Sequence, residues 1–437
     1  MTSDDVFFVD VDKLRIGLFV ELDVGWMVHP FPTGNFKLSN AQQIEAIQAL
    51  SVKRIRCIHS KSDPLVTAVE LMPTSQLDAM PGDSYDPIKE VRKLAVSQVQ
   101  EERKRRVEVL ASQERSLALC ERRFGDAIRQ YRKTLELVHS QPVMAATEAA
   151  RMVESILGEM MSEGESAIRL LSGAAGDKSS MHPVNVTIVS LLLGKAMGLP
   201  PADLQDLGLA AFLHDIGKSE LPDRVRWLDD SFSTTEYKLY QDHVAKSLHL
   251  GQTMELSRPA LLAIGQHHEM ADGSGFPMRL RGDTLSAATR ILALINRYDN
   301  LCNPSRLAAA LTPHEALSLI FAQMKSKFDA TTLSAFIRMM GVYPPGSIVQ
   351  LVDGRYGMVV SVNSSRPLKP RVIVHEADLS GDEAIILDLE HAPRVGIRRS
   401  LKPAMLPPEA LEFLAPRHRT CYYFEKLVDP QMPEAKS

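Results

Sequence analysis

Five of the chain's 13 histidines, His182, His214, His243, His267 and His268, fall in its middle, and Asp215 directly follows the second of them. Each lies on or beside an apolar, helix-like stretch, where an imidazole without compensation is costly to bury. Imidazole and carboxylate donors gathered in this way are ligands for divalent metal ions. The pair His214-Asp215 ends the apolar run Leu207 to Leu213 and precedes Ile216-Gly217-Lys218. Neighbouring residues on a helix point about 100° apart, so an adjacent His and Asp share one ion most easily at a helix end, or serve two ions from one place. The pair His267-His268 closes a second apolar run, Pro259 to Gln266, and continues through Glu269 into the loop Asp272-Gly273-Ser274-Gly275-Phe276-Pro277. Two helix-end pairs suggest a two-metal cluster with the Asp215 carboxylate as its bridge.

In this order, with Glu236 seven residues ahead of His243, the motifs resemble the HD-GYP family. Its members are all-helical, metal-dependent phosphodiesterases that hydrolyse the bacterial second messenger cyclic di-GMP. The resemblance covers roughly residues 140 to 345 and rests on several motifs, each with its own spacing and apolar flanks. It implies two divalent ions, iron or manganese. One would take His182, His214 and Asp215, and the other Asp215, His243, His267 and His268. By the same resemblance Asp215 and Lys218 are catalytic. Lys218 would stand near a non-bridging phosphate oxygen or help protonate the leaving group, and Asp272, Gly273 and Gly275 would shape the substrate pocket.

The chain departs from the family pattern at several places. Phe276 stands where the family has Tyr, which keeps the ring and loses a hydroxyl. Asn296 stands where the family has an aspartate ligand, three residues before the retained Asp299; it can coordinate the first ion weakly through its carbonyl oxygen, but one anionic donor is lost. The family's Arg-Pro-Tyr run is replaced by Asn303-Pro304-Ser305-Arg306, which leaves Arg306 as the substitute cation. Lys178 occupies the position where some members carry a third-ion glutamate. Two readings follow: an active phosphodiesterase that linearises cyclic di-GMP to pGpG and on to GMP, or a degenerate member that binds metal and nucleotide as a sensor or interaction module.

The elements that position these residues give a mainly α fold. At 437 residues with 45% apolar content the chain has room for several domains. Residues 1–63 read as a small α+β domain, with short β-like runs at Val6–Val9, Leu18–Val20 and Arg54–Ile58, a helix from Asn40 to Leu50, and Trp26 and Pro30-Phe31-Pro32 between them. It looks like the small domain that precedes some HD-GYP domains. Residues 64–87, with Pro64, Pro73, Pro81 and Pro87, read as a linker. A proline-free helix spans 88–139, and Leu110, Leu117, Phe124, Tyr131 and Val138 recur every seven residues along it. That seam fits a homodimer through 107–138, a helical hairpin on the next domain, or an intramolecular amphipathic helix. Its basic cluster, Arg103 to Arg106, reads as a solvated face.

The phosphodiesterase-like core follows over 140–345. Period-two apolar runs around Asp353-Gly354 predict a small β-barrel-like appendage over 346–405, and 406–437 carry a short helix and a tail that should be disordered at its end. A net charge of −4 gives no global attraction to nucleic acid, so a bound nucleotide must be held by local cations. Cys57, Cys120, Cys302 and Cys421 lack paired spacing, which predicts neither disulfides nor a zinc knuckle. No apolar run reaches the 18 or so residues a membrane span needs, and the acidic start is unlike a signal peptide, so the chain reads as cytoplasmic without membrane insertion. Cyclic di-GMP and other signalling proteins are its expected partners.

Overall fold

In the computed structural model the residues described are 6–22, 35–39, 41–48, 52–63, 87–162, 164–171, 178–229, 231–363, 365–376, 384–392, 395–416 and 419–426. Trp26, Pro30-Phe31-Pro32, the linker up to Asp86 and the tail beyond Lys426 lie outside them. The chain divides into two compact units, residues 1–106 and 107–437.

The first unit is built on an antiparallel sheet of β1 (Val6–Asp10), β2 (Phe19–Glu21), β3 (Asn35–Lys37) and β4 (Arg54–Ile58), in the order β1-β4-β2-β3. Helix α1 (Ala41–Gln48) contributes Ile47 to a core with Val9, Leu18, Val20, Leu38, Ile55 and Cys57. Strand β4 buries Ile55, Cys57 and Ile58, where the sequence predicts a β-like run. This is the small α+β arrangement expected for the N-terminal region.

The second unit is mainly helical. Helix α2 (Pro87–Leu137) enters it at Val107 and is followed by α3 (Pro142–Met161) and the strand β5 (Ser166–Leu170). Helix α4 (Lys178–Ala196) is buried from Ser180 to Gly194, which is why it is apolar on all sides rather than striped. Helix α5 (Pro201–Leu213) lies against it with a nearly continuous apolar stretch. Around this pair stand α6 (Thr234–Thr253), α7 (Arg258–Gln266), α8 (Ala287–Cys302), α9 (Pro313–Gln323) and α10 (Ala330–Met340). A Ser233–Glu236 capping box starts α6, and the Ser257 and Ser286 side chains cap α7 and α8, so local chemistry sets where each helix begins.

The heptad seam of α2 is used inside the chain. Phe124, Ile128, Tyr131 and Val138 are buried in the core of the second unit, with Tyr131 edge-on to Phe212. From Phe124 to Val138 the apolar stripe packs on the helices and strands of its own unit, which is the intramolecular use of the seam.

The C-terminal strands β6 (Ile348–Leu351), β7 (Tyr356–Asn363), β8 (Arg371–Val374), β9 (Ile386–Asp388) and β10 (Ile397–Leu401), the helix α11 (Pro408–Leu414) and the strand β11 (Tyr422–Lys426) complete the unit. The Asp353-Gly354 turn joins β6 to β7 as the sequence predicts, Gly354 taking φ +92°. The sheet does not close into a barrel, nor is it confined to 346–405. Its path is β10-β6-β7-β5-β11, with β8 on β7 and β9 on β8, so strands from before the helical core and from the chain end belong to it. The eight residues of β7 make this possible: Tyr356–Met358 pair with β6 and Ser361–Asn363 with β5. Helices and sheet share one hydrophobic core, in which Tyr422, Tyr423 and Phe424 are buried. The four cysteines are buried and form no disulfide, and among the described residues no helix is long and apolar enough to cross a membrane.

Candidate metal centre

Helix ends bring the metal-type donors together. His214 is the C-cap of α5, Asp215 leads into a 3-10 turn over Ile216–Glu220, His267 is the C-cap of α7 with His268 behind it, and His182 and His243 stand on α4 and α6. The turn after Asp215 packs directly on α6. A Cβ at Gly217 would lie 2.4 Å from the Ser247 nitrogen and 2.5 Å from the His243 carbonyl oxygen, so only glycine allows this approach. Two donor groups result, His182-His214-Asp215 and Asp215-His243-His267-His268, with Asp215 in both.

The hydrogen bonds of the imidazoles show which nitrogens face inward. Nδ1 of His214, His243 and His267 lies 2.8, 2.5 and 2.6 Å from the carbonyl oxygens of Ala211, Tyr240 and Ile264. Each Nδ1–H therefore donates to backbone, leaving a lone pair on Nε2. Nδ1 of His182 is likewise 2.5 Å from Asp299 Oδ2. The Nε2 atoms then meet one another: 3.2 Å for His182–His214, 3.3 Å for His243–His267 and 3.1 Å for His243–His268. Lone pairs at such separations repel unless a cation stands among them. Bonds of about 2.1 Å to one ion place its ligand atoms about 3.0 to 3.4 Å apart, so the spacing fits metal.

Asp215 supplies the charge. Its Oδ2 accepts from Lys218 Nζ at 2.5 Å, and its Oδ1 is buried without a hydrogen-bond partner, 3.4 Å from His243 Nε2. An orphaned buried carboxylate oxygen calls for a cation. Burial raises the carboxyl, but His214, Lys218 and His182 outweigh it and hold Asp215 well below the usual carboxylate range. Burial, reinforced by the neighbouring imidazoles, pushes His267 and His268 well below their ordinary value, and burial with Lys218 takes His243 to about 4. His182 moves the other way: burial opposes its charge, while Asp215 and Asp299 raise it. Neutral imidazoles at His243, His267 and His268 beside an ionised Asp215 are the protonation state that metal ligation requires.

The other singled-out residues divide. Lys218 is buried against Asp215, with Trp227 and Tyr240 ring centroids 4.7 and 5.5 Å from its Nζ. Asn296 is buried on α8 and its Oδ1 accepts from Asn300 Nδ2 at 2.7 Å. A cavity of about 420 Å³ opens beside the donors, lined by His267, His268, Tyr240, Phe276, Asn296 and Arg306 among others. Gly275 lines it too, pressed so close to His268 and Met270 that a Cβ would meet their backbone at 2.5 and 2.4 Å. Asp272 and Gly273 do not reach it. Asp272 accepts from Ser274 within its own turn and Gly273 takes φ +80°, so both shape the loop that carries Ser274 and Gly275 to the cavity. Arg306 reaches the cavity, with Nη2 on Asp229 at 3.0 Å.

Several contacts around the centre could not be read from the sequence. Glu269 accepts from the Met278 and Leu280 amides and so holds the loop closed, and Phe276 stacks on His268 at 4.5 Å. Trp227 meets two ammonium groups, Lys178 Nζ and Lys218 Nζ each 4.7 Å from its centroid. Burial, with Lys218 next in effect, lowers Lys178 to about 8. Asn185 and Asn303 donate to Asp299 behind His182, and helical spacing was the available signal for them, three residues past His182 and four past Asp299; for Trp227 there was none.

Residues 152–332 match the family model described as HD domain, and residues 8–149 match that of a domain of unknown function, DUF3391. The chain is 26% identical over 378 residues to a cyclic di-GMP phosphodiesterase of Pseudomonas aeruginosa, covering 84% of each chain. It is 24% identical over 192 residues to the cyclic di-GMP phosphodiesterase PdeB of Borreliella burgdorferi, covering 44% of this chain and 51% of that one. A 3'3'-cGAMP-specific phosphodiesterase of Vibrio cholerae is 25% identical over 163 residues, covering 37% and 35%. Among solved structures, an HDG"Y"P protein from Bdellovibrio bacteriovorus aligns over 76% of this chain and 98% of that one, at a TM-score of 0.40 and 15% identity. The chain thus resembles HD-domain proteins over 152–332 and DUF3391 domains over 8–149, and relatives it is similar to are cyclic dinucleotide phosphodiesterases.

Proposed function

We propose that the substrate of this metal-dependent phosphodiesterase is cyclic di-GMP, opened to linear pGpG and then to GMP. The observation that carries the reading is the pair of donor groups sharing Asp215, whose Oδ1 is orphaned, at the wall of a cavity with cationic and aromatic lining. One divalent ion would be held by His182, His214 and Asp215, and a second by Asp215, His243, His267 and His268, iron or manganese suiting the mixed donors. Such a pair of ions supplies an activated water and neutralises phosphoryl charge.

The chain's own groups do the rest. Lys218 keeps the Asp215 carboxylate turned between the two donor groups, and its ammonium strengthens local attraction for a phosphate. Lys178 and Trp227 place a cation and a flat ring next to the centre. Phe276 stacks on His268, fixing its ring plane and closing one wall to water.

Protein purified without oxygen and loaded with Fe(II) or Mn(II) should contain two ions and turn over cyclic di-GMP, with 3'3'-cGAMP as the competing substrate. Asp215→Ala should abolish both occupancy and turnover. Full occupancy with no turnover of either dinucleotide would sink the reading. It would favour the second one, a degenerate sensor, which draws support from Asn296 in place of a carboxylate and from Arg306 already engaged with Asp229.

A further inference from the structure

The candidate ligand His182 is tied to the chain end by an unbroken set of buried hydrogen bonds. Asp299, which accepts from His182 Nδ1, takes two further donors on its Oδ1, Asn185 Nδ2 and Asn303 Nδ2, the latter at 2.9 Å. Both asparagines also grip the segment that leads into β11. Asn303 Nδ2 donates to the Thr420 carbonyl and Asn303 Oδ1 accepts from the Thr420 amide, each at 2.8 Å. Asn185 Oδ1 accepts the Tyr422 amide at 2.8 Å, and its Nδ2 donates to the Thr420 carbonyl at 3.3 Å. Asn185, Asp299 and Asn303 are 3%, 2% and 5% exposed, so water cannot replace these bonds without opening the core.

Two amide side chains therefore have their donors and acceptors shared between a carboxylate and a strand. An asparagine that lost its strand partner would be left with an unmet buried acceptor, and would turn or pull away from Asp299. Asp299 would then hold His182 less firmly in orientation and tautomer, the usual job of a residue behind a metal ligand. The strand is anchored along its length as well. The Tyr422 hydroxyl bonds to the Pro345 carbonyl at 3.1 Å, and Ser116 Oγ on α2 donates to Glu425 at 3.0 Å.

The geometry points to Asn185 and Asn303 as positioning residues through which the docked C-terminal strand sets the affinity of the first metal site. The inference rests on the metal-centre reading and goes beyond it. Because coupling between sites is reciprocal, ion binding at His182 must also tighten the strand.

The wild-type chain tests this directly. Loading with Mn(II) should slow hydrogen exchange at the Thr420 and Tyr422 amides about tenfold or more, while amides of the β8–β9 pair change little. In Asn303→Ala the first ion should weaken about 10- to 100-fold with the second retained, and the Mn(II) spectrum should change from a coupled pair to a single ion. If that variant does not fold, the isosteric Asn303→Asp is read in the same way. Two bound ions with unchanged exchange at Thr420 and Tyr422 overturn the coupling and leave the centre standing. A wild-type chain that binds no ion overturns the centre, and the role of the strand with it.

Discussion

At the scale of single residues, the charge count around the first donor group matters most. It has one carboxylate, Asp215, shared with the second group, and Asn296 brings no charge. Asn296→Asp keeps the shape and the acceptor that Asn300 uses, and adds an anion. We expect it to tighten the first ion about tenfold, ~1.4 kcal/mol, by titration with Mn(II); unchanged affinity would mean that this position does not face the ion. The imidazoles also make the metal-free protein acid-sensitive. Folded-state values below the ordinary His value mean that the unfolded chain binds more protons, so stability present above pH 6.5 is lost as pH falls, for His243 down to about 4. His267 and His268 act in the same direction, whereas His182, raised, contributes stability that is lost as pH rises. Melting of metal-free protein between pH 7 and pH 4 should show Tm falling across this window, and a flat Tm would contradict the assignment.

At the scale of elements, the centre depends on how closely helix ends approach. Gly217 lets the turn after Asp215 lie on α6, where Ser247 Oγ accepts its amide at 2.9 Å. Gly217→Ala must push the turn off α6, at a cost of about 1–3 kcal/mol. It should also part Asp215 from His243, so both Tm and metal retention should drop; a lower Tm with both ions kept would separate folding from the site. Local signals placed these elements well. Apolar runs ending in His-Asp and His-His became helices ending there, because capping and burial act within a few residues. The reversals that local signals could not settle were long-range: whether the α2 seam met another chain or its own core, and where the strand partners of β7 came from.

At the scale of the molecule, the HD core and the C-terminal sheet are one folding unit. β5 pairs with both β7 and β11, and the aromatics of β11 share the helices' core. A fragment of residues 140–345 would leave β5 without either partner and expose apolar surface. We expect it to show no cooperative thermal transition by calorimetry, whereas residues 107–437 should melt cooperatively; a cooperative 140–345 fragment would restore the sheet to the status of an appendage.

The sequence alone determined the mainly α character, the helix ends and the identity of the clustered donors, since these follow from side-chain type and from spacing along one helix. It also marked Asn296 as a departure, because a missing charge is visible in a one-letter change. Only the tertiary structure decided which nitrogens face each other, that Asp215 keeps one oxygen unpartnered, that Asp272 bonds within its own turn, and that hydrogen bonds link His182 through Asp299 to Thr420. Apart from the local Asp272 turn, those are contacts between residues 24 to more than 200 positions apart, and no periodicity along the chain encodes them.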